Sequence, residues 1–184
     1  MEIVTITDKA KKTITELCNE SVVVEYDFIL NYPRIIDHIV NLEKVKDEQL
    51  IKDIDRLGKD SLVHWSIMDI MIRNLGAEMM WLISTLPRVV DIVDILEKQL
   101  EKEKAARDLY VEAKKITMAN KITVKVGGVF NIFRTKDISE KDIVSCEQII
   151  KDLDRLIWDE ERHIRVVEDS VATFKALVSK RGET

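Results

Sequence analysis

The 184 residues carry a formal net charge of −5, with 34% charged and 46% hydrophobic side chains. That apolar share excludes a disordered chain, and the acidic balance offers no basic surface for nucleic acid or anionic lipid. With 5 Gly, 2 Pro and few aromatic residues, the composition favours long helices over a many-turned sheet, in one domain large enough for a sizeable core.

The first residues, MEIVTITDKAKK, lack the basic-then-apolar order of a secretory signal. A first amphipathic helix is predicted over about residues 8–31, with the stripe Ile14, Leu17/Cys18, Val22, Glu25, Phe28/Ile29 and Tyr32. Pro33 should kink or end it, and residues 34–41 form a further short helical piece. The second helix is expected over about 43–75, striped by Leu50, Ile54, Leu57, Ser61, His64, Met68, Met71/Ile72 and Leu75, with Gly76 marking its end. Residues 76–87 are apolar and read as continued helix or a buried connection. The segment 62–86 comes nearest to a membrane span, but it contains His64, Asp69, Arg73 and Glu78. No membrane segment is therefore expected, and a cytoplasmic, reduced protein is. Cys18 and Cys146 form neither a disulfide framework nor a CxxC motif and are read as core residues.

The third helix is expected over about 88–119, with Val89, Val93, Leu96, Leu100, Glu103, Ala106, Tyr110, Ala113 and Thr117 inward. An insertion at 120–138 follows. Its Ile122, Val124 and Val126 alternate with Thr123 and Lys125 ahead of Gly127-Gly128, which suggests a small hairpin or a loop over one end of the bundle. The fourth helix is expected over about 139–179, capped by Ser139 and striped by residues that include Cys146, Leu153, Leu156, Glu160, His163 and Phe174. The expected architecture is thus a single all-α four-helix bundle over residues 1–184.

An internal echo refines this. Residues 51–64 read IKDIDRLGKDSLVH and residues 150–163 read IKDLDRLIWDEERH, with eight of fourteen positions identical at an offset of 99. His64 falls on His163, and Ser61 falls on Glu160. The second and fourth helices then become equivalent members of two helix pairs, joined by a long crossover between helices two and three.

Glu25, His64, Glu103, Glu160 and His163 interrupt stripes that are otherwise largely apolar. Buried carboxylates are costly unless paired or bound to metal. A shared site drawing on all four helices is one reading; helix-surface glutamates and satisfied core histidines are the other. Glu160-x-x-His163 places an oxygen and a nitrogen ligand on one helix face, and such donors suit iron or manganese, with zinc also compatible. Tyr32 and Tyr110 are either packing residues or hydrogen-bond partners of ligand carboxylates. Trp65, Trp81 and Trp158 and the methionines at 68, 71, 79 and 80 read as packing or oligomer contacts.

The pattern resembles the rubrerythrin branch of the ferritin-like di-iron carboxylate proteins. Glu103-x-x-Ala106-x-x-x-Tyr110, Glu25-x-x-Phe28-x-x-x-Tyr32 and Glu160-x-x-His163 carry the resemblance. Helix two departs from it, with Ser61-x-x-His64 where that family has Glu-x-x-His. The resemblance implies a ferritin-like bundle holding one or two iron or manganese ions, with metal ligands Glu25, His64, Glu103, Glu160 and His163. It further implies peroxide reduction or ferrous-iron oxidation. No paired CxxC motifs of a rubredoxin-like domain are present, so electrons would come from an external donor. A homodimer is the expected assembly for such a bundle. The competing reading, favoured by Ser61 and Phe28, is a metal-free bundle with a structural or protein-interaction role.

Overall fold

The computed structural model describes residues 2–80, 91–125 and 145–182. Four long helices dominate: α1 (Asp8–Asn41), α2 (Glu48–Asn74), α3 (Ile92–Ala119) and α4 (Cys146–Gly182). Each of the first three is started by a side chain that satisfies otherwise orphaned N–H groups. Thr7 Oγ1 accepts from Ala10 N, Asp47 Oδ1 from Gln49 and Leu50 N, and Asp91 Oδ1 from Val93 and Asp94 N. α2 ends as Gly76 expected: the glycine adopts φ 79, where its lack of a Cβ removes the steric cost.

α1 runs through Pro33 instead of ending there. Burial of Tyr32, Ile35 and Ile39 on the same inward stripe outweighs the hydrogen bond that proline cannot make. Gly58 of α2 lies against this point. A Cβ on it would sit 3.2 Å from Tyr32 Cβ and 4.0 Å from Pro33 Cδ, so glycine permits the close approach of the two helices. α2 begins later than position 43 because Lys44, at φ 54, turns the chain before the Asp47 cap. Residues 76–80 are not helical. The expectations for Trp81, residues 82–90, Gly127-Gly128 and the Ser139 cap fall outside the described residues.

Contacts fix the helix directions. Glu25 meets His64 and Cys18 meets Met71, so α1 and α2 are antiparallel. Tyr32 meets Glu103 and Tyr110 meets Glu25, so α1 and α3 are antiparallel too. α2 and α3 therefore run the same way. α4 lies antiparallel on α3, held by Lys104–Glu168, Lys114–Asp154 and Lys175–Glu97 pairs along their exposed seam.

A two-stranded ribbon completes the fold. β1 (Glu2–Ile6) pairs antiparallel with β2 (Lys121–Lys125), with Val4 opposite Thr123. The insertion thus does begin with a strand, but its partner among the described residues is the N-terminal segment and not a neighbouring hairpin arm. The β-branched run Ile3-Val4-Thr5-Ile6 explains why the first residues extend. Ile6 is buried against the end of the bundle, and Thr7 N donates to Asn120 O. No helix among the described residues is long and apolar enough to cross a membrane.

Candidate metal centre

The core is mainly apolar, and its ionisable groups gather at its middle. There Glu25 from α1, His64 from α2, Glu103 from α3 and Glu160 with His163 from α4 converge, all essentially inaccessible to solvent. All five residues singled out by their positions on apolar stripes meet in this one layer. His64 Nδ1 lies 3.1 Å from Glu25 Oε1 and 3.0 Å from Glu160 Oε1. His163 Nδ1 lies 3.3 Å from Glu103 Oε2 and 4.0 Å from Glu160 Oε2. Glu160 therefore sits between two half-sites, each with its own glutamate and its own histidine. The two imidazoles stack with centroids 5.2 Å apart.

Both tyrosines are hydrogen-bond partners of this layer. Tyr110 Oη donates to Glu25 Oε1 at 2.7 Å and also approaches Met68 Sδ at 3.5 Å. Tyr32 Oη donates to Glu103 Oε1. Phe28, stacked on Tyr32 with centroids 5.6 Å apart, is buried and packs that tyrosine against the site. Ala106 is buried on the α3 side.

The outer nitrogens of the histidines face a second set of groups. His64 Nε2 is 3.4 Å from Asp159 Oδ2, and His163 Nε2 is 3.5 Å from Asp60 Oδ2. Each aspartate thus serves the histidine of the other helix. Arg162 Nη2 donates to both, at 2.6 Å to Asp60 Oδ2 and 3.1 Å to Asp159 Oδ1, while its guanidinium lies 5.9 Å from the centre of the exposed Trp158 ring. These three residues were not singled out from the sequence. Asp60 lies off the inward face of α2, and its carboxylate reaches His163 from the side. The signal was in the repeat, where Asp60 and Asp159 occupy equivalent places.

No protein-family model and no curated protein sequence matches the chain. Two solved structures do. A bacterioferritin from Desulfovibrio desulfuricans, described with a diiron site in different catalytic states, superposes with a TM-score of 0.64 at 16% identity, covering 92% of this chain and 84% of that one. A ferritin-like, diiron-carboxylate protein from Bacillus anthracis str. Ames gives 0.65 at 15% identity, covering 88% of this chain and 97% of that one. The fold is ferritin-like.

Within this ferritin-like bundle the electrostatics are those of a pocket with too much negative charge. Burial, with the charges of Glu25 and Glu103 next to it, pushes the Glu160 carboxyl well above the usual carboxylate range. Burial alone would lower His64, yet Glu25, Asp159 and Glu160 hold it well above its ordinary value. Burial would likewise lower His163, but Asp60 and Glu103 raise it. Glu25 Oε2, Glu160 Oε2 and Ser61 Oγ are buried without a hydrogen-bond partner among the protein groups, and the contacts of Glu160 Oε1 with His64 Nδ1 at 3.0 Å and of His64 Nε2 with Asp159 at 3.4 Å are poorly aligned. Leaving such groups unpaired in a dry core is expensive.

Those residues offer oxygen and imidazole donors of the kind that suit first-row transition ions. Donors bonded at about 2.1 Å and set at right angles stand roughly 3 Å apart, close to the 3.1 and 3.0 Å around His64 Nδ1 and the 3.3 Å from His163 Nδ1 to Glu103, while Glu160 Oε2 stands farther from His163 Nδ1 at 4.0 Å. His64, Glu160 and His163 present donor atoms within 4.8 Å of one another. A cation would satisfy the stranded carboxylate oxygens and offset the mutual repulsion of the three glutamates.

Proposed function

We propose that this chain binds two divalent transition-metal ions, iron or manganese, and acts as an oxidoreductase on peroxide or on ferrous iron. One observation carries the reading: Glu160 is fully buried between Glu25 and Glu103 with a histidine Nδ1 on each side of it, 3.0 Å from Oε1 and 4.0 Å from Oε2, and neither oxygen makes a well-aligned hydrogen bond. Glu25 and His64 would hold one ion, Glu103 and His163 the other, and Glu160 both. Bound ions of this kind supply one-electron chemistry toward oxygen or peroxide. The protein contributes the rest. Tyr110 and Tyr32 fix the orientation of Glu25 and Glu103, and Asp159 and Asp60 hold the imidazoles so that Nδ1 faces inward. The buried Met68, Leu57 and Leu156, one turn along the helix from His64, Ser61 and Glu160, would keep water from the layer. The diiron descriptions of the two fold neighbours support this reading by analogy. Electrons would come from an external donor, and a cytoplasmic homodimer is the setting we propose.

The test is metal content after iron or manganese loading without chelator. Two ions per chain are expected in the wild type. His163→Ala should retain at most one and Glu160→Ala neither tightly, with helical circular dichroism unchanged in both. Metal loading should also raise the melting temperature, because an ion bound only by the folded state adds stability of about 2.7 kcal/mol at a hundred times its dissociation constant. Full metal content in both variants would place the ions elsewhere. No metal in the wild type would leave the metal-free bundle as the working description, a reading that Ser61 at a ligand-equivalent position favours.

A further inference from the structure

The two halves of the centre are related by an approximate twofold. Asp159 meets His64 at 3.4 Å and Asp60 meets His163 at 3.5 Å, and the sequence repeat superimposes the same residues. That symmetry places Ser61 opposite Glu160. Ser61 precedes His64 by one turn, as Glu160 precedes His163, so it shares the inward face. It is fully buried, and its hydroxyl finds no protein partner. Glu160 reaches both half-sites with one oxygen each; from the opposite wall, the chain offers only a short hydroxyl.

The charges are correspondingly out of balance. Glu25, Glu103 and Glu160 bring three negative charges to two divalent ions. One positive charge is left within the layer itself, offset only from outside it by Asp60 and Asp159, which share Arg162, and a charge in a layer with no solvent contact is costly. We propose that Ser61 makes the centre a receptor for one small monocarboxylate from solution, of formate or acetate size. The anion occupies the position opposite Glu160, with one oxygen toward each ion, and accepts a hydrogen bond from Ser61 Oγ. This inference rests on the dinuclear reading above. Both the charge and the shape of the missing glutamate head group are those of such an anion, and a carboxylate offers an oxygen to each half-site as Glu160 does. Enclosure sets the size limit, because Glu25, His64, Glu103, Glu160 and His163 all lie in a closed layer.

Co(II) serves as the probe ion, read by equilibrium dialysis and by its visible absorption, which responds to the ligands around it. Titrations are run in formate, acetate, benzoate or chloride at equal ionic strength. Because metal and anion must raise each other's affinity by one factor, formate and acetate should tighten binding of the ion pair by about tenfold over chloride and change the spectrum. Benzoate should behave as chloride. Ser61→Glu, which supplies the carboxylate covalently, should bind two ions equally well in every buffer. Ser61→Ala keeps the space and should retain the formate effect with weaker formate affinity. Two ions bound equally tightly in chloride and formate by the wild type would overturn the proposal while leaving the dinuclear reading intact. A benzoate effect equal to that of formate would also overturn it. Failure of the wild type and Ser61→Glu to bind cobalt in any buffer would sink both.

Discussion

At the scale of single residues, burial decides which groups react and which wait for a partner. Cys18 is enclosed by α1 and α2, 3.6 Å from Met71 Sδ, and burial pushes its thiol up to about 12. The thiolate is the nucleophile, so on the order of one molecule in ten thousand carries it at pH 8. Cys18 should stay unmodified by iodoacetamide at that pH in the folded protein and become alkylated in denaturant, as mapped by mass spectrometry. Rapid native labelling would mean that the α1–α2 seam opens readily. The five central residues were legible because a charge on an apolar stripe contradicts its surroundings. Asp60, Asp159 and Arg162 were not, since off-stripe charges on a helix look like the solvated pairs around them, such as Lys59–Asp55 or Lys98–Asp94. Only three-dimensional crossing, α2 to α4, gives those aspartates their histidines.

At the scale of elements, helices were easy to read and their ends were not. A stripe persists over many turns, whereas an end rests on one cap; Asp47 and Asp91 each start a helix several residues after the apolar pattern begins. Pro33 misled in the other direction, because a local rule about proline competes with the burial of Ile35 and Ile39 beyond it. The seam where Pro33 and Gly58 meet is correspondingly sensitive. A glycine inside a helix forfeits up to about 1 kcal/mol relative to alanine, and Gly58 accepts that cost to let Tyr32 approach. Gly58→Leu should therefore destabilise the protein by about 1–3 kcal/mol through overpacking, despite leucine's better helix propensity. A urea midpoint at or above the wild-type value would show that α1 and α2 can separate there without loss. The same displacement would move Tyr32 from Glu103, so a packing defect at Gly58 also disturbs the centre.

At the scale of the whole molecule, the ribbon could not be foreseen, because its strands are far apart in the chain. Its position has a consequence for the order of folding. Residues 2–6 find residues 121–125 only after α1 and α3 lie side by side, since the loop between them contains three helices. Closing so long a loop early costs entropy that a two-stranded ribbon alone does not return. The ribbon is then a latch that engages last and lets go first, tying the start of α1 to the end of α3, with Ile6 as its link to the core. Its amide protons should exchange with solvent much faster than those of α3 around Glu103, through openings that leave the bundle intact. Equal protection would instead make the ribbon part of the same folding unit. In the expected case, the protein breathes at one end while the layer of glutamates and histidines at its middle stays closed.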